Sequence, residues 1–246
     1  MSVLALCSCE EHREHDDEIN NEDVLKSIPF AYSNRLILVN PTMNDFNDYG
    51  RLAIMRKISD KLEEMGVNIE LSVVVSISDY SPQIRKLVRI NNLEQYVILM
   101  SEDSVENLRR ILKTRRSLAM LVGAGKSFLD IGMIERPDFK QTIYNHFYSG
   151  GKSVLDMSDS IVNIKANTDT VVQIRNAGRS ILKIFDMDSS CECSKVTIDK
   201  NEIRPGEIAN LYIKHQTNGR VKARTNILLY SNDISGIKQI FVAAQE

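Results

Sequence analysis

The four cysteines of this 246-residue chain fall in two C-x-C pairs, Cys7/Cys9 and Cys191/Cys193. Such a pair can close a small disulfide ring, hold a soft metal ion with the help of further ligands, or remain two packed thiols. In an extended strand residues i and i+2 point to the same side, which would bring the Cys191 and Cys193 sulphurs together. A metal would need more Cys or His, and only His146 and His215 lie beyond the N-terminal stretch that carries His12 and His15. A structural pair, either disulfide or buried thiols, therefore stands ahead of a catalytic or metal-binding one. Between residues 10 and 190 there is no cysteine, so that stretch can house no dithiol chemistry.

Other groups with chemical potential reduce to structure on inspection. Gly123-Ala-Gly-Lys-Ser127 has the end of a phosphate-binding loop, but the required first glycine falls on Met120, and no helix follows to hold phosphate. Arg109, Arg110, Lys113, Arg115 and Arg116 form a basic run. Leu108, Ile111 and Leu112 supply the dry side of the same helix, so the run reads as its wet side. His146 is expected to be packed or at the surface rather than a base. No cofactor site is expected.

Those residues must be held by a chain with 43% hydrophobic and 26% charged content, enough for one large or two ordinary domains. The net charge of −2 gives no positive field for nucleic acid, which is excluded as a partner. No run approaches the roughly 20 apolar residues of a membrane-spanning helix, so the folded body is expected to be soluble.

At the N-terminus the apolar stub Val3–Leu6 leads into Leu6-Cys7-Ser8-Cys9. A small residue just before a cysteine, with a leucine three positions before it, resembles a bacterial lipoprotein cleavage box in the form common in Bacteroidetes. The resemblance implies lipidation of Cys9, loss of residues before it, and a cell-envelope location in the outer membrane, facing the periplasm or the cell surface. Residues 10–23 are almost wholly polar and mostly acidic, so they cannot bury apolar area and are expected to be a solvated tether. An acidic stretch at this place also resembles the surface-export signal of such lipoproteins. His12 and His15 belong to this tether without forming a specific metal site.

Residues 24–150 alternate strand and helix. Strands are expected at Leu36–Val39, Asn68–Ile77 and Tyr96–Met100, and helices near 43–65 and 82–90. Ser104 is the expected N-cap of a helix carrying Val105, Leu108, Ile111 and Leu112. Leu118–Val122 and Phe128–Ile134 make a hairpin, and Pro137 opens a final helix. This order, with Ser117–Gly132 as the closest local likeness, resembles the thioredoxin-like fold of the peroxiredoxin/TlpA branch. That family needs C-x-x-C at the start of its first long helix, where the helix dipole lowers a thiol pKa. Met43 and Phe46 have that spacing here, and Ser117 stands where the family places a cis-proline. The resemblance therefore implies a degenerate, non-redox copy.

From Gly150 the texture changes to short alternating strands at Ile161–Ala166, Thr170–Asn176, Leu182–Met187, Lys195–Asp199, Ile208–His215, Thr225–Tyr230 and Gln239–Ala243. Turn signals separate them, which argues for an antiparallel, immunoglobulin-like sandwich over 151–246. Asn176-x-Gly178, Leu182-x-Ile184, Ser190-Cys-Glu-Cys-Ser194, Ile203-x-Pro205-Gly206, Gly219 and Ser231-Asn232 occur in order. The series resembles the DUF1573 domain, with Glu192 and Ser194 in place of the usual Gly and Thr. The implied role is a membrane-anchored binding or scaffolding protein whose partner is an unspecified protein or envelope ligand. A thiol-redox or metal-handling protein using Cys191 and Cys193 is the alternative.

Overall fold

The computed structural model describes residues 33–39, 46–90, 92, 94–112, 117–124, 127–165, 168–216 and 224–245. Cys7, Cys9, the tether, His12, His15, Met43, Lys113, Arg115, Arg116, Gly125, Lys126 and Gly219 lie outside these residues.

The first half builds one mixed sheet from β1 (Arg35–Val39), β2 (Glu70–Ser76), β3 (Val97–Met100), β4 (Leu118–Gly123) and β5 (Ser127–Gly132), in the order β3-β2-β1-β4-β5. β1, β2 and β3 run parallel, whereas β4 and β5 form an antiparallel hairpin that joins at β1. The helices are α1 (Phe46–Glu64), α2 (Pro82–Ile90), α3 (Glu102–Ile111) and α4 (Pro137–Phe147). Successive residues of a strand face opposite ways, and β1 shows the result. Leu36 and Leu38 join the core beneath α1, α2 and α4, while Ile37 and Val39 meet Leu108 of α3 and Leu112, its C-cap. α1 buries Leu52, Met55, Ile58 and Leu62, one per turn. α3 begins one turn earlier than the Ser104 cap implied: Ser101 is the N-cap, and its hydroxyl accepts from the Ser104 amide at 3.3 Å. Glu102 and Asp103 then occupy the first turn, where the helix dipole favours carboxylates. Pro137 opens α4, where its missing N–H costs nothing.

The second half is a two-layer β-sandwich. One sheet has the order β10-β12-β8-β6, from β6 (Leu155–Met157), β8 (Asp169–Asn176), β10 (Ser194–Ile198) and β12 (Ile208–His215). The other runs β11-β9-β13-β14-β7, from β7 (Ile161–Lys165), β9 (Leu182–Ser189), β11 (Glu202–Ile203), β13 (Arg224–Ser231) and β14 (Lys238–Gln245). Ile174, Leu182, Ile184, Leu211, Ile213, Ile227, Leu229 and Ile240 fill the space between them. Two findings correct the sequence expectation. The short strands β6 and β11 add to the seven expected, and β7 pairs with β14 in parallel, so the sandwich is not wholly antiparallel. β6 and β7 lie in different sheets, and the chain crosses between them within three residues, 158–160, which leaves no room for a reversing hairpin.

The halves share a core. The register of β9 on β13 shifts beside Tyr230/Ser231, a bulge in the ladder. Leu182, Ile184 and Met187 consequently serve the sandwich core, while Phe185 turns outward and joins Tyr230 in the core of the α/β half.

Candidate functional site

Three polar clusters stand out. The first lies where the halves meet. Just past the bulge Asp186 and Asp188 face α1 and α4, and Lys140 of α4 reaches both, at 2.5 Å to Asp186 and 2.7 Å to Asp188. Lys57 of α1 adds a contact to Asp188 at 2.6 Å, and the Tyr144 hydroxyl donates to Asp186 at 3.2 Å. The Lys140 ammonium also sits 4.5 Å from the centre of the Tyr230 ring. Lys140 and Asp186 are almost wholly buried, and each charge is balanced twice, Lys140 by Asp186 and Asp188, and Asp186 by Lys140 and Lys57 at 3.3 Å. Burial alone would raise the Asp188 carboxyl, but hydrogen bonds and charge from Lys140 and Lys57 outweigh it and hold it below the usual carboxylate range. Burial, then the Asp186 carboxylate, pushes the Tyr144 phenol far up, so it stays a donor. Gln141 completes the seam by bonding the Ser231 backbone in both directions.

The second cluster caps the end of the sandwich where β8 turns into β9. The Asn176 carboxamide accepts from the Ser153 hydroxyl and the Gly178 amide, and it donates to the carbonyls of Ser180 and Ile203. Asn232 donates to the carbonyls of Gly151 and Ile181 and accepts from the Lys183 amide. The Asp233 carboxylate takes the Leu155 amide and Ser235. A methyl group on Gly178 would lie 2.6 Å from the Val154 nitrogen, and so the chain admits only glycine there. Gly206 has φ of +81° and donates its amide to the Asn176 carbonyl. Each of these side chains stitches one loop to another, which is a structural task.

The third cluster occupies the opposite end. Cys191 and Cys193 are joined in a disulfide with their Cα atoms 5.1 Å apart. Contrary to the extended geometry expected for C-x-C, the pair forms the turn between β9 and β10. The Ser194 amide bonds the Cys191 carbonyl, and the Gln216 amide bonds the Cys193 carbonyl, which ties the turn to the end of β12. The Cys193 amide donates to the Cys191 sulphur at 3.1 Å. Around the Cys193 sulphur stand the Ser194 hydroxyl at 3.9 Å and the Thr225 hydroxyl at 3.7 Å. Ser194 lies opposite His215 in the β10–β12 ladder, and its hydroxyl meets His215 Nδ1 at 2.7 Å. His215 is fully buried, and among the described residues its Nε2 has no hydrogen-bond partner.

Proton counting gives this third cluster a direction. A disulfide sulphur carries no hydrogen, so the Thr225 hydroxyl is the donor to Cys193. Thr225 in turn accepts from the Ser194 hydroxyl at 3.4 Å. The Ser194 hydroxyl also meets His215 Nδ1, and the imidazole tautomer decides which of the two donates. The groups form a hydrogen-bonded chain from His215 through Ser194 and Thr225 to the Cys193 sulphur.

The series Asn176 to Asn232 contributes Asn176, Gly178, Gly206 and Asn232 to the knot and Cys191, Cys193 and Ser194 to this end. Residues 152–245 match the domain family described as "Protein of unknown function (DUF1573)". No curated protein matches the chain. Among solved structures, a protein of unknown function from Porphyromonas gingivalis W83 is similar at 14% identity and a TM-score of 0.38, over 52% of this chain and 63% of that one. The BIgI domain of the S. agalactiae beta protein, solved bound to CEACAM1, is 16% identical with a TM-score of 0.25, over 38% of this chain and 97% of its own. Titin M4 aligns at 7% identity and a TM-score of 0.25, over 39% of this chain and 96% of its own. The chain thus spans less than two thirds of the Porphyromonas protein.

Of the residues singled out from sequence, the DUF1573 segment brings together Cys191, Cys193 and His215, the last through Ser194 rather than through a metal. Among the described residues no three His, Cys, Asp or Glu side chains are grouped to hold a metal ion. His146 is exposed at the end of α4 against the Phe147 ring. Ser117 is buried at the start of β4, and Phe46 is the first residue of α1. Sequence reasoning missed Thr225 and the Lys140/Asp186 pair. Thr225 alternates inward with Ile227 and Leu229 and reads as core. The sign of Lys140 was its place beside Phe139 and Ile143 on the dry side of α4.

Proposed function

We propose that the chain is a lipid-anchored protein of the bacterial cell envelope, held through Cys9 on the acidic tether, that binds or scaffolds rather than catalyses. In this reading residues 24–150 are a thioredoxin-like domain of peroxiredoxin/TlpA type without its thiols, and residues 151–246 are an immunoglobulin-like sandwich. Support for the first part comes from the strand order β3-β2-β1-β4-β5 with its terminal hairpin and helix. The lack of any cysteine between residues 10 and 190 removes the redox chemistry of that fold.

The observation that carries the reading is the seam between the halves. Neighbouring domains move relative to one another unless their interface is large and apolar. Here Phe185 and Tyr230 lie in the α/β core, and Lys140 and Asp186 are buried together. Such a join presents two surfaces at a fixed distance, which suits a scaffold. The outer face of β8 and β12 offers one of them: Val171 and Tyr212 are register partners, 50% and 44% exposed, and Ile208 on the same face of β12 is 45% exposed.

Two measurements test it. Expressed from its own gene, the protein should take up labelled fatty acid and sediment with membranes, and Cys9→Ala should abolish both. Retention of label in that variant overturns the anchor. The purified chain should unfold in one transition, and Asp186→Ala, which leaves Lys140 with Asp188 alone and the buried Tyr144 hydroxyl without its acceptor, should lower stability by about 2–3 kcal/mol. Two separate wild-type transitions would overturn the one-body scaffold.

A further inference from the structure

We infer that Cys191–Cys193 is a thiol–disulfide exchange site for a protein dithiol, in which Cys191 takes the attack and Cys193 leaves. This goes beyond the scaffolding reading and does not depend on it. Three observations carry the inference. Both cysteines are only part-buried, so an incoming thiolate can reach them. The ring they close spans three residues, so opening it releases little chain entropy and leaves the β9–β10 turn held by its backbone bonds to β12 and β13. The hydrogen-bonded chain that links His215, Ser194 and Thr225 ends with the Thr225 hydroxyl donating to the sulphur of Cys193.

That chain has a clear use only when Cys193 bears charge. A hydroxyl gains little by facing a neutral disulfide sulphur, whereas a bond to an ionised acceptor is roughly twice as strong. Linked donors also polarise one another. A lower thiolate pKa in the leaving sulphur speeds exchange. The Cys193 amide stays with Cys191, whose sulphur becomes part of the mixed disulfide.

The balance is as follows. One thiolate of the partner dithiol attacks the Cys191 sulphur, forming a mixed disulfide as the Cys191–Cys193 bond breaks and Cys193 leaves as a thiolate. The partner's second thiolate attacks its own sulphur in the mixed disulfide, releasing Cys191. Two electrons pass to this protein, its two thiolates take up protons according to pH, and the partner ends as a disulfide. Thr225 touches the reacting sulphur, while Ser194 and His215 are positioning residues that act through it.

The test uses the full chain with dithiothreitol as the reductant and differential alkylation read by mass spectrometry. Cleavage at Lys183 and Lys195 yields one peptide holding both cysteines and neither Cys7 nor Cys9. Thr225→Val should slow reduction about tenfold, the effect of one hydrogen bond to a charged group, and Ser194→Ala should slow it by less. In a Cys191→Ser background, Thr225→Val should move the pH profile of Cys193 alkylation upward, which a purely structural role would not do. With glutathione in place of dithiothreitol, an acid quench of the wild type should find the mixed disulfide on Cys191. Wild-type rates and an unchanged profile in both folded variants overturn the proposal. So does glutathione on Cys193, a result that needs no variant to fold.

Discussion

The two ends of the β-sandwich both lie in the segment that matches the DUF1573 family, yet they spend polar groups in opposite ways. At the β8–β9 end Asn176 and Asn232 use their carboxamides on backbone groups of distant loops, and Gly178 lets Ser153 come close enough to join them. At the β9–β10 end the Thr225 hydroxyl points at a sulphur that can offer no proton, and among the described residues a buried histidine nitrogen has no partner. Buried polar groups left unpaired cost stability and are usually satisfied. An end that carries one beside a part-buried disulfide fits the exchange role inferred above.

That contrast can be broken by measuring what each end contributes. Asn176→Ala removes a side chain that satisfies two buried carbonyls and should cost about 3 kcal/mol in urea denaturation, with an unchanged m-value. Replacing both Cys191 and Cys193 by Ser should cost only roughly 1.5 kcal/mol, because a three-residue ring barely restricts the unfolded chain. If the cysteine variant proves the less stable of the two, the disulfide is a staple and the contrast fails. The smallest effect concerns Asp188, near the disulfide end of β9. Its carboxyl is held below its unfolded value, so its contribution is present above about pH 4 and is lost as pH falls further. Asp188→Asn should flatten the fall of Tm between about pH 5 and about pH 3. An acid limb identical to wild type would separate the seam from the pH response.

Much of the architecture could be read from residue pattern because it rests on local chemistry. Pro82 and Pro137 open helices at the expected residues, and the alternation along Ile208–His215 marks a strand whose two ends match the structure. The cap of α3 moved to Ser101 because two serines three residues apart both suit an N-cap, and only the fold decides between them. β6 and β11 are too short to show a period. The seam was hidden by the bulge. Simple alternation from Leu182 and Ile184 would send Asp186 into the sandwich core, where a carboxylate makes no sense, and nothing local to the sequence reveals the added residue that turns it toward Lys140. The C-x-C pair was recognisable, but its turn geometry and its link to Thr225 depend on strands that meet only in three dimensions.

The place of β14 has a consequence in time. This strand lies between β13 and β7, so its sheet stays open until residues 238–245 have been synthesised. Phe185 and Tyr230, which cover the apolar face of α1 and α4, belong to that same late-closing sheet. During translation the α/β half must therefore wait with that face bare while the sandwich emerges, and long-range pairings of this kind form slowly. A ribosome that stalls before Lys238 would leave a chain with two uncovered surfaces, the form of this protein most in need of a chaperone.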